Sequence, residues 1–394
     1  MTSEVFKSIA SAKGVAFVLV AWGLPVAIGM AAWWAVALPA WQDHVLPDVF
    51  LQRLNASGLS NAWLFLVIWL LLTLSLGLNA TFFFRLYEGY HLPARVKNRR
   101  KRTHWLHREN LRLSERLAVA ERRAAAAGTS QDAASLARLT KLRADAPAAQ
   151  ALARKRVLPV RRLLTQRPVG GLKNWRDYPS EEAELMPSAL GNRIRAFERY
   201  GNARFGLDIL ILWYEFVGAA EDQVREQIEA ARQGVEVFLA GSVVFALFAF
   251  ASLVPLVNPD TWRTDGLPLV AAGLAGIVAS VLTCRRAVAQ TGDWGAAVTA
   301  LVNTNRGKVA AAFGFVLPQS LEQERKLWRM LNGFVRTGSK EWEPLFDRFE
   351  RLPGKASDFS TAAVGANGVP PPKSRLRAFR ALLASSVIRR LLHR

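Results

Sequence analysis

Polarity along the chain alternates between long apolar runs and strongly basic stretches. Four runs, Gly14 to Trp41, Ala62 to Phe84, Val237 to Val257 and Leu267 to Cys284, contain no Asp, Glu, Lys, Arg or His. A helix needs about 20 apolar residues, within about 17 to 25, to cross the hydrocarbon layer, so each run predicts a transmembrane helix. The fold class expected is therefore all-α: a polytopic membrane protein with four transmembrane helices and a large helical cytoplasmic domain. The first run is longer than a crossing requires, and Pro25 and Pro39 allow it to kink or tilt. Lys7 and Lys13 precede it, but it is about twice as long as a signal-peptide apolar core, which favours a retained signal anchor.

The polar stretches also read as helical. Leu111, Leu113 and Leu117, followed by Leu136, Leu139 and Leu142, predict a hairpin over about 106–156, turning at Gly128 to Gln131. Pro168, Gly170, Gly171 and Pro179 mark a loop, and Ser180 with Glu181 and Glu182 reads as a helix N-terminus. Leu207 to Val217 is apolar but too short to span, which suits a buried or interfacial helix. Ala219 to Glu236 is an amphipathic stalk continuous with the third span. The fourth span should continue to about Phe313. Pro318 stops it, Ser320 and Gln323 form a capping-box start for a helix through Leu331, and another helix is expected from Glu341 to Arg351. The expected order is thus an N-terminal segment 1–13, spans 14–41 and 62–84 around an outer loop 42–61, and a cytoplasmic domain 85–236 with its motif region at 186–217 and stalk at 219–236. Spans 237–257 and 267–284 follow around an outer loop 258–266, then cytoplasmic helices 285–351 and a Gly-, Ala-, Ser- and Pro-rich linker 352–374. In 375–394, Leu376, Phe379, Leu383, Val387 and Leu391 share one face, with arginines mostly elsewhere: a basic amphipathic helix suited to an inner leaflet.

Charge orients this arrangement. Of 394 residues 51% are apolar and 21% charged, yet the net charge is +21. Residues 85–236 hold 29 Lys and Arg against 18 Asp and Glu, and 285–394 hold 19 against 8, or +11 each. The N-terminal segment is +1 and each outer loop −1. Basic residues are retained on the cytoplasmic side, so both termini and the middle segment should be cytoplasmic. Trp33, Trp34, Trp41, Trp63 and Trp262 fall near the outer ends of the runs, as an interfacial belt does.

Candidate chemistry is sparse. The spans carry no titratable group of the kind that ion-coupled transport needs. Ala272, Gly276 and Ser280 form a small-residue stripe that lets helices approach closely, either within one subunit or at a homo-oligomer seam, as do Gly23, Ala27 and Ala31. Thr73, Gly77 and Thr81 make a mildly polar stripe that could line a pore, although membrane hydroxyls commonly bond their own backbone. Arg95, Lys97, Arg99, Arg100, Lys101 and Arg102 crowd within eight positions. The first reading is a topological stop against anionic lipid; Tyr90 and Trp105 and an excess of Arg over Lys also suit nucleotide or nucleic-acid phosphate. His104 and His107 lie one turn apart with no third ligand placed to complete a metal site, so no metal and no cofactor are expected. The single cysteine, Cys284, forms no internal disulfide. No phosphate-binding glycine loop, His-Glu-x-x-His or nucleophile elbow is present, which argues against an enzyme.

The most distinctive stretch is Met186-Pro187-Ser188-Ala189-Leu190-Gly191-Asn192-Arg193-Ile194-Arg195-Ala196-Phe197-Glu198, leading to Arg204-Phe205-Gly206-Leu207-Asp208 and Leu212-Trp213. It resembles a motif of a family of bacterial, often actinobacterial, integral membrane proteins: Pro-x-x-Leu-Gly-Asn-x-x-Arg-x-x-Glu, then Tyr-Gly-Leu-Asp and a Trp. In that family a pair of membrane helices follows, then a Leu-Pro and an acidic-Arg-Leu segment, similar to Leu317-Pro318 and Glu324-Arg325-Lys326-Leu327. The resemblance covers about Met186 to Val335, with Phe205 and Tyr214 where Tyr and Pro are usual. It implies architecture and a bacterial source, and no activity. Asn192, Arg193, Arg195, Glu198 and Asp208 are expected to form a salt-bridged structural knot, with ligand binding as the other reading. The order of two helices, a large cytoplasmic block, two helices and a tail looks like that of bestrophin-type anion channels, by fold-level analogy. The functional expectation is an oligomeric channel whose basic cytoplasmic domain controls opening, with an anionic ligand such as a nucleotide or nucleic acid as the expected trigger. The alternative is a non-conducting scaffold or sensor that recruits a cytoplasmic protein partner.

Overall fold

The computed structural model describes residues 19–44, 61–127, 134–138, 140–141, 172, 174–338 and 342–352. The expected N-terminal segment, most of the first outer loop, the hairpin turn, the 352–374 linker and the 375–394 amphipathic helix lie outside, or almost wholly outside, these residues. Among the described residues the chain is helical without a named strand; an isolated antiparallel bridge joins Phe315 and Arg351. Three helical stretches, Leu19–Val36, Asp222–Val257 and Gly266–Ala312, are long and apolar enough to cross a membrane. The second apolar run is a bent pair, Trp63–Leu78 and Ala80–Glu88, with a 56° angle between them, which makes a fourth crossing if the pair is one span. These helices are compatible with a membrane-spanning protein.

The chain divides into two compact units. The first comprises residues up to Phe84 and Glu229–Gln290, and the second comprises Arg85–Ile228 and the residues from Thr291. In the first unit a π-helical turn, Leu19–Gly23, leads into α1, Leu24–Val36, with Pro25 in its first turn where a missing N–H costs nothing. A turn at Ala37 separates α1 from α2, Leu38–His44, so the first run is jointed. The Gly23 carbonyl accepts the Trp69 indole N–H at 2.8 Å, tying this turn to α3, Asn61–Leu78. After Asn79 the chain bends into α4, Ala80–Glu88, and Asn79 holds the Ser75 carbonyl twice, through its backbone N at 3.2 Å and its Nδ2 at 2.8 Å.

That break alters the expected Thr73, Gly77 and Thr81 stripe. Thr73 and Gly77 lie on α3 while Thr81 lies on α4, so the three do not share one straight face. Thr73 is fully buried, with its methyl facing Gly23: a Cβ on Gly23 would lie 3.5 Å from Thr73 Cγ2. Within one subunit Thr73 therefore packs against the first span.

The third and fourth runs are the inner parts of much longer helices. Helix α9, Asp222–Leu253, joins the amphipathic stalk to the third run and closes in a 3-10 turn, Val254–Val257. After the short α10, Thr261–Thr264, helix α11 runs 47 residues, Gly266–Ala312. Close approach depends on small residues. A Cβ on Gly29 would lie 2.2 Å from Val244 Cγ1, and a Cβ on Gly273 2.7 Å from Leu253. Ser242 Oγ donates to the Ser280 carbonyl at 2.9 Å, and Ser280 Oγ returns a bond to the Ser242 carbonyl at 2.8 Å. The stripe of Ala272, Gly276 and Ser280 thus serves a helix contact inside the chain. Near the predicted outer ends, Trp41 donates to the Ala251 carbonyl and Trp262 to the Leu256 carbonyl, while Trp63 and Trp262 keep much of their rings exposed.

In the second unit the described elements start with α5, Ala94–Ala127, and a 3-10 turn, Trp175–Asp177, after which 178–188 is a run of bends and turns. Then come α6, Ala189–Glu198; α7, Tyr200–Phe205; α8, Trp213–Ala219; α12, Leu321–Thr337; and α13, Glu343–Phe346. The expected helix start at Ser180 is not formed, because Pro187 cannot continue a helix; Ser188 caps α6 instead, accepting from Gly191 N at 3.0 Å. Ser320 caps α12 as expected, and Gly338, at φ 60°, ends it. The expected 341–351 helix shrinks to α13: Val316 N donates to the Glu350 carbonyl and Leu352 N to the Gly314 carbonyl, which takes that segment into the bridge. Leu207, Ile209, Leu212, Phe216, Leu301, Leu327 and Trp328 are almost completely buried, so the short apolar stretch after α7 is core of this unit.

A Cβ at Gly276 would fall 2.9 Å from Ala249 Cβ and 3.1 Å from its Cα, with backbone behind it. Gly276→Leu should therefore destabilise the purified protein by about 1–3 kcal/mol, the cost of overpacking, seen as a lower thermal midpoint. An unchanged melting curve would show that α9 and α11 are not packed along this stripe.

Candidate functional site

Helix α5 is the most charged element described, with eleven Lys and Arg against three Glu. It starts after a corner made by Gly89, at φ 91°, and Pro93. The four- and seven-residue steps from Arg95 to Arg99 and Arg102 set these three on one face. They and Arg100 are exposed, whereas Lys97 and Lys101 are half-buried on the opposite face. Among the described residues, no carboxylate pairs with Arg95, Lys97, Arg99, Arg100 or Arg102. The candidate cluster is thus an exposed cationic surface on a rigid helix that begins ten residues after the second apolar run ends.

The other face of α5 docks onto the 172–180 segment. His107 Nε2 lies 3.1 Å from the Leu172 carbonyl, and Arg108 donates to the Pro179 carbonyl at 3.0 Å while pairing with Glu109 at 3.1 Å. His104 is buried with Nδ1 3.3 Å from the Tyr178 hydroxyl. Burial, reinforced by the positive His107 and Arg100, pulls the His104 pKa down to about 4, and burial pushes the Tyr178 phenol above its ordinary value. These contacts take ring nitrogens that a metal would need, and no three metal-ligating side chains gather among the described residues.

The motif residues meet as a network of structural bonds. Asn192 is fully buried; its Oδ1 accepts from Met186 N at 2.9 Å and its Nδ2 donates to the Met186 and Ser188 carbonyls, each at 2.8 Å. It holds the Pro187 turn against the start of α6. Arg193 grips Asp177 through two parallel bonds of 3.1 and 3.2 Å, a bidentate geometry that fixes orientation as well as charge. Arg195 pairs with the buried Glu198 at 3.3 Å and donates to the Tyr90 hydroxyl at 3.0 Å. Arg199 is shared between two acids, pairing with Glu184 at 2.6 Å and with Asp208 at 3.4 Å, while Asp208 N donates to Asn332 Oδ1 at 3.2 Å. Partial burial raises the Glu184 carboxyl pKa against the opposing pull of Arg199.

Several contributors are absent from the sequence expectation. Asp177, Tyr90 and Glu184 are partners of the motif arginines from 15 to 105 residues away. Arg306 sits 4.2 Å from the Phe205 ring centroid and pairs at 3.3 Å with Glu324, whose carboxylate also accepts the Trp328 indole N–H at 3.1 Å. The Glu324-Arg325-Lys326-Leu327 segment therefore meets the Phe205 corner through Arg306, and Arg325 Nε donates to the Arg204 carbonyl. No local spacing signals such pairings.

No family model matches the chain, and searches of curated proteins and of solved structures return no match.

Between pH 6.5 and 4 an unfolded chain binds a proton at His104 that the folded chain does not. Stability should fall as pH drops through that window, by about 2 kcal/mol at pH 5 from this group alone. In His104→Gln that part of the pH dependence should vanish, as read from denaturant midpoints at pH 7 and pH 5. Asn192→Ala, which removes the side-chain partner of the buried Met186 N–H and C=O while the Ser188 carbonyl keeps its bond from the backbone N of residue 192, should cost about 2–3 kcal/mol at neutral pH.

Proposed function

We propose that the protein is an oligomeric channel of the bacterial inner membrane, with four spans, both termini and the 85–236 domain cytoplasmic, opened by an anionic ligand held on that basic domain. The observation that carries this reading is that α9 and α11 each continue without a break from apolar span into polar helix. A displacement of the polar part is transmitted along such a helix into its apolar part, since packed helices shift as rigid elements. The chain's charge asymmetry supports the orientation, and a wall without fixed charge suits closure by apolar constriction and dewetting. The exposed Arg95, Arg99, Arg100 and Arg102 would enrich anions at the cytoplasmic mouth. The resemblance to the motif family named above fits the same architecture.

A second reading, a membrane scaffold that recruits a cytoplasmic partner, is favoured by one feature: Thr73 and Gly276, candidates for pore lining and subunit seam, are both engaged within the chain.

Native mass spectrometry followed by planar-bilayer recording of the purified protein separates the two. A channel gives a defined oligomer and a current, and replacing Arg95, Arg99, Arg100 and Arg102 by Gln should lower anion conductance several-fold at low salt without changing subunit number. A silent bilayer at all voltages, with the oligomer intact, would transfer the assignment to the scaffold. For orientation, Thr264→Cys should react with an impermeant thiol reagent from the outer side of intact cells; labelling only after lysis would reverse the topology.

A further inference from the structure

Nearly three turns beyond the Arg95 to Arg102 cluster, α5 carries a second cationic feature with a different surrounding. Arg112, Arg116 and Arg123 stand on one face at steps of four and seven residues, about 6 and 10 Å apart along the axis. With Glu115, Ser135 and Trp175 they line a groove of about 490 Å³, within the range of small-ligand sites. The only carboxylate among these lining residues is engaged: Glu115 accepts the Trp175 indole N–H and pairs with Arg176 at 3.4 Å. Among the described residues no acid pairs with Arg112, Arg116 or Arg123. Residues 128–173 are themselves strongly basic, with ten Lys and Arg against Asp132 and Asp145.

Trp175 gives the groove a second recognition element. The guanidinium carbons of Arg112 and Arg176 lie 5.8 and 5.7 Å from its ring centroid, a stacked cation–aromatic wall. Flat guanidinium and indole surfaces of this kind accept a nucleobase by stacking, while unpaired guanidinium forks bind phosphate oxygens in pairs. Three guanidinium groups in line match several linked phosphates better than a single one. The bounded volume suits one nucleotide rather than a long strand.

From this we infer that the Arg112, Arg116, Arg123 and Trp175 groove is a binding site for a soluble nucleoside polyphosphate. The site supplies the anionic ligand that the channel reading calls for, and it rests on that reading only for the effect of binding in the membrane.

The test uses the full-length protein in nanodiscs of neutral lipid, titrated calorimetrically with ATP, GTP and inorganic tripolyphosphate at low and high salt. Saturable binding of both nucleotide and tripolyphosphate is expected, weakening as salt rises. Arg112→Gln with Arg116→Gln should weaken both at least tenfold, and Arg123→Gln, an exposed single change, should weaken them about threefold. Trp175→Leu should weaken ATP while leaving tripolyphosphate unchanged, and that retained binding shows the variant is folded. Arg336→Gln, an exposed change on α12, should leave all affinities as they were. Equal affinity in the Arg112 and Arg116 variant overturns the site, as does binding of a single-stranded oligonucleotide with none of ATP, GTP or tripolyphosphate. Binding to vesicles of anionic phosphatidylglycerol that falls at least tenfold in Arg112→Gln with Arg116→Gln, with no saturable binding of ATP or tripolyphosphate in neutral nanodiscs, would assign the groove to a lipid headgroup and also overturn it. A silent bilayer with intact, arginine-dependent ATP binding removes the channel reading and keeps the site.

Discussion

Two serine hydroxyls, Ser242 and Ser280, each donate to the other's backbone carbonyl, and that exchange sets the register of α9 and α11. Apolar surface gives little drive for helices to associate within lipid, so their pairing rests on close packing and on such bonds, each worth about 0.6–1.7 kcal/mol. The neighbouring contacts depend on the same register: Gly276 opposite Ala249, Gly273 opposite Leu253, and Gly234 opposite Gln290. A one-residue slip of about 1.5 Å would place side chains where these positions admit only hydrogen.

In the second unit ion pairs do comparable work. Acids are scarce, 31 against 52 bases, and the buried ones are partnered: Glu198 with Arg195 and Glu324 with Arg306. Removing one partner of such a pair strands a charge away from water, which is why the motif tolerates little change at Arg193, Arg195 and Glu198 on physical grounds. Pairing the acids inside the unit leaves the surplus of positive charge on its surface, and much of it lies along α5.

Long-period information was legible in the sequence and short-range accidents of geometry were not. The continuity of the stalk with the third run and the extension of the fourth run to about residue 313 follow from amphipathic periodicity and from Pro318, and the structure has both. The Ser320 cap was readable because a capping box is local. The jointed second run was not: Asn79 is one polar residue in an apolar helix, and a bend there depends on what its carbonyls and the neighbouring first span provide. Ser180 looked like a cap by composition, yet Pro187 seven residues on forbids the helix it would start. The motif residues were identifiable as a cluster, but their partners Asp177, Tyr90 and Asn332 come together only through tertiary folding. The arginine groove escaped attention for a related reason, since Trp175 approaches Glu115 across 60 residues of chain.

Helix α11 has a consequence that follows from its length alone. At 1.5 Å per residue its 47 residues extend about 70 Å, more than twice the roughly 30 Å of a hydrocarbon layer. About 40 Å of unbroken rod therefore remains once a crossing is made. Pivoting such a lever by ~10° sweeps its free tip through about 7 Å, so a small angular change at one end becomes, at the other, a travel larger than one helical turn.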